Sequence, residues 1–82
     1  TMTAFFYVYI LISDSENRHY VGVTIDLNKR LEDHNRGAVS HTSKYRPWKI
    51  QTAIAFDSKE KAYAFERYLK SHAGREYAKR HF

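Results

Sequence analysis

Cysteine is absent from the 82 residues. A disulfide scaffold, a thiolate zinc site and a cysteine nucleophile are therefore excluded. Long apolar runs are absent too. The longest, Ala4–Ile12, holds nine residues, against the ~20 needed to span a bilayer. No basic, apolar, small-residue series marks a signal peptide. Together these absences predict a cytoplasmic protein. With one proline and three glycines, no linker, repeat or low-complexity stretch stands out. A single small domain over residues 1–82 is expected.

Aromatic residues and positive charge are plentiful. Seven Tyr, five Phe and one Trp, within a 43% hydrophobic composition, supply enough apolar surface for a core and argue against disorder. Fourteen Lys and Arg against nine Asp and Glu give a net charge of +5. The excess is lopsided. Residues 1–41 hold four basic and five acidic side chains, and residues 42–82 hold ten and four. A basic half points to a polyanionic partner, most often nucleic acid.

The element order reads β-β-α-β-α-α. Phe5–Ile12, aromatic and β-branched, predicts a central strand buried on both faces. Ser13–Asn17 is a polar turn, and His19–Val23 completes a hairpin in which Gly22 marks a bulge or a close backbone approach. Thr24 and Asp26 are candidate N-caps for a helix over Leu27–Arg36, with Gly37 as its C-terminal stop. Residues 37–47 read as a loop. Trp48, Ile50, Thr52, Ile54 and Phe56 alternate with less apolar residues, which predicts a third strand with one apolar face. Asp57 with Glu60 resembles a capping box for a second helix, whose stripe is Ala62, Phe65, Tyr68, Leu69 and His72. Gly74 is expected to break that helix ahead of a short terminal one.

Several side chains could carry chemistry. The hairpin brings Tyr9 towards Tyr20, although both positions also suit core aromatics. Arg30 and His34, at i, i+4, share a helix face. Arg offers a planar fork of donors suited to phosphate, and His can move a proton near neutral pH. A solvated face with Arg30 paired to Glu32 or Asp33 is the plainer reading. Glu66, beside an apolar stripe, is either a ligand for a hard metal ion or an exposed residue paired with Lys70.

These residues resemble a known family. Tyr7-Val8-Tyr9, ten intervening residues, then Tyr20-Val21-Gly22 is similar to the signature of the GIY-YIG nucleases. Thr24-x-Asp26-Leu27-x-x-Arg30-Leu31-x-x-His34-Asn35 resembles the helix that follows it. Ser43–Lys49 and Ala64–Ser71 resemble the small stand-alone bacterial members. The likeness covers nearly the whole chain, with Tyr7 standing where the first motif names a glycine. It implies an α+β fold, a three-stranded antiparallel sheet flanked by helices. It also implies cleavage of phosphodiester bonds, with Tyr9, Tyr20, Arg30, His34 and Glu66 as the catalytic set. Glu66 would hold one divalent metal ion, Mg²⁺ or Mn²⁺.

DNA is the expected partner. Lys44, Arg46, Lys49, Lys70 and Arg75 are the expected phosphate contacts, with Tyr45 and Trp48 interleaved among the first three for base stacking. Trp48 equally suits the core. No base-reading element is apparent, which favours selection by DNA structure. The competing reading is a binding module on a nuclease fold with little or no catalysis. Many family nucleases carry an appended targeting domain, so a protein partner that supplies targeting is also expected.

Overall fold

Strand β1 (Phe6–Ser13) takes the centre of the sheet. Its aromatic and β-branched residues leave no polar face to turn towards water, and a strand buried on both sides needs none. The computed structural model describes residues 4–82, so the first three residues of the expected domain lie outside it. β2 (His19–Thr24) and β3 (Trp48–Phe56) flank β1, both antiparallel to it, in the order β2-β1-β3. The α+β architecture matches the expectation. Helices α1 (Leu27–Asn35), α2 (Lys59–Lys70) and α3 (His72–His81) complete the fold.

The central sheet separates two apolar clusters. Val8 and Ile10 on one face of β1 pack with Ala62 and Leu69 of α2, joined by Val21, Phe56, Phe65 and Ala78. Tyr9 and Leu11 on the other face pack with Trp48, joined by Tyr20, Leu27, Leu31, Tyr45 and Ile50. The alternation of β1 thus feeds both cores.

β3 departs from its expected single apolar face. Ile10 pairs with Thr52, but Leu11 pairs with Ile50, which leaves Gln51 as an extra residue without a partner. Such a bulge shifts the side-chain phase. Trp48 and Ile50 therefore join the α1 side, while Phe56 joins the α2 side. Around Gly22, by contrast, the β1–β2 ladder runs without a bulge.

Helix boundaries follow their caps. Asp26 accepts from the Lys29 N–H and starts α1. Arg36 closes it, and Gly37 follows with φ +83°, the left-handed conformation that glycine adopts without a Cβ penalty. The expected cap of α2 was Asp57. The actual cap is Ser58, whose Oγ accepts from the Lys61 N–H and donates to Glu60 Oε2. Both residues are good cap types, and only Ser58 has its hydroxyl over the first turn. The expected break at Gly74 also moves. α2 ends at Ser71, an extended residue (φ −78°, ψ 165°) that caps α3 through the Gly74 N–H. Gly74 is buried inside α3 instead. Tyr68 and His72, placed on the apolar stripe by periodicity, are exposed.

The 37–47 loop contains a short 3-10 turn, Ser43–Tyr45. Ser13 Oγ anchors it by donating to the Tyr45 carbonyl at 2.6 Å. Asn35 anchors the following strand: its Nδ2 donates to the Trp48 carbonyl at 3.0 Å, and its Oδ1 accepts from the Trp48 N–H at 2.6 Å.

Candidate active site

Tyr9 and Gly22 face each other across the β1–β2 ladder. A Cβ at Gly22 would lie 2.5 Å from Tyr9 Oη and 2.7 Å from its Cζ. The missing side chain is therefore the space in which the phenol lies. Tyr20, two residues along β2, sits with its ring centroid 6.3 Å from that of Tyr9. α1 covers this side of the sheet through Leu27 and Leu31. Its register sends Arg30 and His34, one turn apart, onto the tyrosines.

The contacts form a continuous line. Arg30 Nε donates to Tyr9 Oη at 3.3 Å. Tyr9 Oη lies 3.0 Å from His34 Nε2, and His34 Nδ1 lies 2.8 Å from Thr42 Oγ1. Thr42 Oγ1 in turn donates to the Val39 carbonyl at 3.2 Å. The Tyr20 ring closes against the imidazole, with centroids 4.8 Å apart. Tyr9 is 2% exposed and His34 0%, whereas the Arg30 side chain keeps 36%. The line thus runs from a partly open guanidinium into a closed interior.

Burial raises the pKa of Tyr9, opposed by the hydrogen bond from Arg30. Burial lowers the pKa of His34, and the Arg30 charge lowers it further, with Asp33 acting the other way. Arg30 holds its proton more firmly than usual because it donates to Tyr9. Asp33, shared by Lys29, Arg30 and Arg36, lies below the usual carboxylate range, chiefly through the Arg36 hydrogen bond. Tyr9 and His34 are therefore both neutral at pH 7.

A pH dependence follows from His34. Its folded pKa lies below the unfolded value of ~6.5. Both states are neutral above ~6.5, so this contribution to stability is complete there. As pH falls through ~6.5 the unfolded chain takes up the proton first, and stability declines until pH reaches the folded pKa. In an NMR titration the His34 imidazole should stay in its neutral position at pH 6.5, with Tm falling between pH 7 and 5. Half-protonation of His34 at or above pH 6.5 would contradict this.

Glu66 stands apart from the line of contacts. It lies on α2, with 17% of its side chain exposed, and its Oε2 accepts from Lys70 Nζ at 2.9 Å. Its charge is felt at Tyr9, where it opposes deprotonation. Among the described residues no group of three or more acids, histidines or cysteines gathers around a common point. A recess of about 330 Å³ lined by His19, Tyr20, Val21, Leu69, Lys70 and Arg75 opens beside Tyr20. Lys70 and Arg75 thus share a cavity with a site tyrosine.

Lys44, Arg46 and Lys49 lie elsewhere, on and after the 37–47 loop. All three are exposed. Arg46 Nε donates to the Ser43 carbonyl at 2.8 Å, and Lys49 reaches Asp14 at 3.6 Å. Of the two aromatics between them, Trp48 is not free to stack on bases. Trp48 is 4% exposed, and its Nε1 donates to the Thr42 carbonyl at 2.8 Å. Tyr45 already carries the Arg18 guanidinium 4.3 Å from its ring centroid. The core alternative for Trp48 is the correct one.

The sequence names Asn35 only as the last residue of the helix motif, with no role, and gives Thr42 none. Asn35 had one available signal, its place directly after His34 at the end of an amphipathic helix. Thr42 had none, because it lies in an irregular loop without periodicity.

The comparisons bear on this arrangement. A family model described as the GIY-YIG catalytic domain matches residues 5–80. The chain is 37% identical over 71 residues to the UPF0213 protein YazA of Bacillus subtilis, covering 85% of this chain and 69% of that protein. It is 38% identical over 66 residues to the UPF0213 protein YsiG of Lactococcus lactis, covering 79% of this chain and 62% of that one. The solution NMR structure of the UPF0213 protein BH0048 from Bacillus halodurans is similar in fold. Its TM-score is 0.55 at 31% identity, over 90% of this chain and 81% of that one. No helix among the described residues is long and apolar enough to cross a membrane.

Proposed function

The chain belongs to the GIY-YIG family, a nuclease family, and from that premise we propose that it is a metal-dependent endonuclease hydrolysing DNA phosphodiester bonds. The observation that carries this reading is the line Arg30–Tyr9–His34, a fixed cation and two neutral proton-transfer groups on one closed network. Repair, recombination or processing of DNA is the proposed setting, with the substrate chosen by structure rather than base sequence.

Hydrolysis needs a water that loses a proton, a phosphate whose charge is offset, and a leaving oxygen that gains a proton. Arg30 spends only Nε on Tyr9. Its Nη1 lies 3.8 Å from Asp33, and the partly exposed outer edge of the guanidinium would turn to the non-bridging oxygens, where charge develops in the transition state. The Tyr9 hydroxyl, with His34 behind it, is the group that takes the proton of the water. Tyr20 packs against both rings and holds the imidazole in place.

Glu66 is the residue that would hold a divalent ion, Mg²⁺ or Mn²⁺. A single carboxylate oxygen donor suits a hard cation that keeps most of its waters and completes its shell with phosphate oxygens. When bound, such an ion supplies charge neutralisation at the phosphoryl group. Lys70 and Arg75 beside Tyr20, and Lys44, Arg46 and Lys49 beyond it, would follow the DNA backbone on either side of the cut.

The test is cleavage of single-stranded, duplex, flap and branched DNA with Mg²⁺ or Mn²⁺, for the wild type and Glu66→Gln. The wild type should cut at least one of these and stop cutting in chelator. Glu66→Gln should need at least roughly tenfold more ion, since loss of even an outer-shell partner of a ligand commonly costs that much. Binding without cutting, with either ion, would identify a nucleic-acid-binding module. Unchanged ion dependence in Glu66→Gln, at an unchanged Tm, would remove Glu66 from the metal role.

A further inference from the structure

The hydrogen bonds around His34 have a direction, and Thr42 sets it. A threonine hydroxyl has a single proton. Thr42 Oγ1 faces two groups, the Val39 carbonyl at 3.2 Å and His34 Nδ1 at 2.8 Å. A carbonyl can only accept, so the hydroxyl proton has an acceptor there, and Oγ1 is left to accept from Nδ1–H. His34 Nε2 is then bare and accepts from the Tyr9 hydroxyl, while Tyr9 Oη accepts from Arg30 Nε. Every proton in the line has an acceptor.

The opposite tautomer fails at one point. If Nε2 carried the proton, Tyr9 Oη would face two donors, Nε2–H and Arg30 Nε–H. The Tyr9 hydroxyl proton would then have no acceptor among the described residues. Tyr9 is 2% exposed, so that proton would depend on the water site itself, whereas the Nδ1–H form pairs every proton of the line within the protein.

We propose that Thr42 is a positioning residue that holds His34 as the Nδ1–H tautomer, so that Nε2 takes the Tyr9 hydroxyl proton when the phenol oxygen takes one from the attacking water. This rests on the phosphodiesterase reading above. The balance is complete. One O–H bond of water breaks and its proton goes to Tyr9 Oη. The original Tyr9 proton passes to His34 Nε2. The water oxygen bonds to phosphorus, and the phosphorus bond to the leaving oxygen breaks. That oxygen keeps the electron pair and takes a proton from solvent.

Tyr9 is neutral before and after, so the phenol never has to ionise fully inside the protein. His34 becomes imidazolium, with Nδ1–H still on Thr42 Oγ1 and Nε2–H on Tyr9. The groups facing that ring are Tyr9, Tyr20, Arg30 and Asp33. The Arg30 charge and burial both disfavour the imidazolium, so it returns its proton once product has left.

The test uses the full chain, the wild type, Thr42→Val and Thr42→Ser. Long-range ¹H–¹⁵N NMR correlations at neutral pH report the His34 tautomer without any need for activity. The wild type and Thr42→Ser should show Nδ1–H, and Thr42→Val should lose it as the dominant form. Single-turnover cleavage should fall roughly 10–100-fold in Thr42→Val, part of the 10²–10⁴ a positioned proton acceptor contributes, and recover in Thr42→Ser.

A wild-type His34 in the Nε2–H form overturns the proposal. So does Thr42→Val with an unchanged tautomer, or with wild-type cleavage. If the wild type cuts no DNA, the endonuclease reading fails while the tautomer still decides the role of Thr42. If Thr42→Val does not fold, Thr42→Ser and the wild-type tautomer carry the decision.

Discussion

Arg30→Ala is expected to slow single-turnover DNA cleavage by roughly 10²–10³, the usual loss when one preorganised group is taken from a developing charge. The stability cost should be small. Arg30 gives up one hydrogen bond, to Tyr9, and a 3.8 Å ion pair with Asp33. The first is worth ~1 kcal/mol net and the partly exposed second ~0–1. Tyr9 keeps its bond to His34. A loss near 1 kcal/mol lowers Tm by about 4–8 °C in a domain of this size. DNA affinity should weaken only modestly, because the proposed phosphate contacts Lys44, Arg46, Lys49, Lys70 and Arg75 remain. Arg30→Lys keeps the charge and loses the fork, so it should restore affinity far better than rate. Tm, affinity and cleavage measured on one preparation separate the possibilities. Equal losses in binding and cleavage would make Arg30 a docking contact. A Tm fall well beyond that range would make it a structural residue.

The second large effect is on stability and lies far from the chemistry. Gly74→Ala is expected to destabilise the fold even though alanine is the better helix former. Propensity alone predicts a gain of up to ~1 kcal/mol inside α3. Packing predicts the reverse. A Cβ at Gly74 would lie 1.8 Å from the Tyr68 carbonyl oxygen, 2.5 Å from its carbon and 2.7 Å from Leu69 Cα. These are backbone atoms at the end of α2, and no rotamer change relieves the clash. Inserting an atom into so tight a crossing costs about 3 kcal/mol or more, at the upper end of overpacking. The clash therefore outweighs propensity, and Tm should fall by about 12–24 °C. An unchanged or raised Tm would mean that the α2–α3 crossing opens freely.

Elements with a strong period were legible in the sequence, as was the part of the site held on them. β1, β2 and α1 lie within a residue of expectation because strand composition and the Asp26 cap are local signals. Arg30 and His34 share a face by spacing alone, and the hairpin brings Tyr9 to Tyr20. What was not legible depended on comparing distant parts of the chain. Gly74 looked like a breaker because its propensity is local, while its purpose is contact with Tyr68 and Leu69. Asp57 and Ser58 are both cap types, and only backbone geometry selects Ser58. Thr42 meets His34 across an irregular loop with no repeat to signal it. The Lys70 partner of Glu66 was visible as an i, i+4 pair.

The unpaired Gln51 in β3 makes one position of the sheet tolerant of a change in chain length. Anywhere else in these strands, losing one residue would turn every following side chain to the opposite face. Here the ladder already contains one residue too many, since Ile10 pairs with Thr52 and Leu11 with Ile50. Removing Gln51 would join two segments that are already in phase with β1. Trp48 and Ile50 would still reach the core under α1, and Phe56 the core under α2. A homologous chain shorter by one residue at this point would keep the same two interiors with a straighter strand.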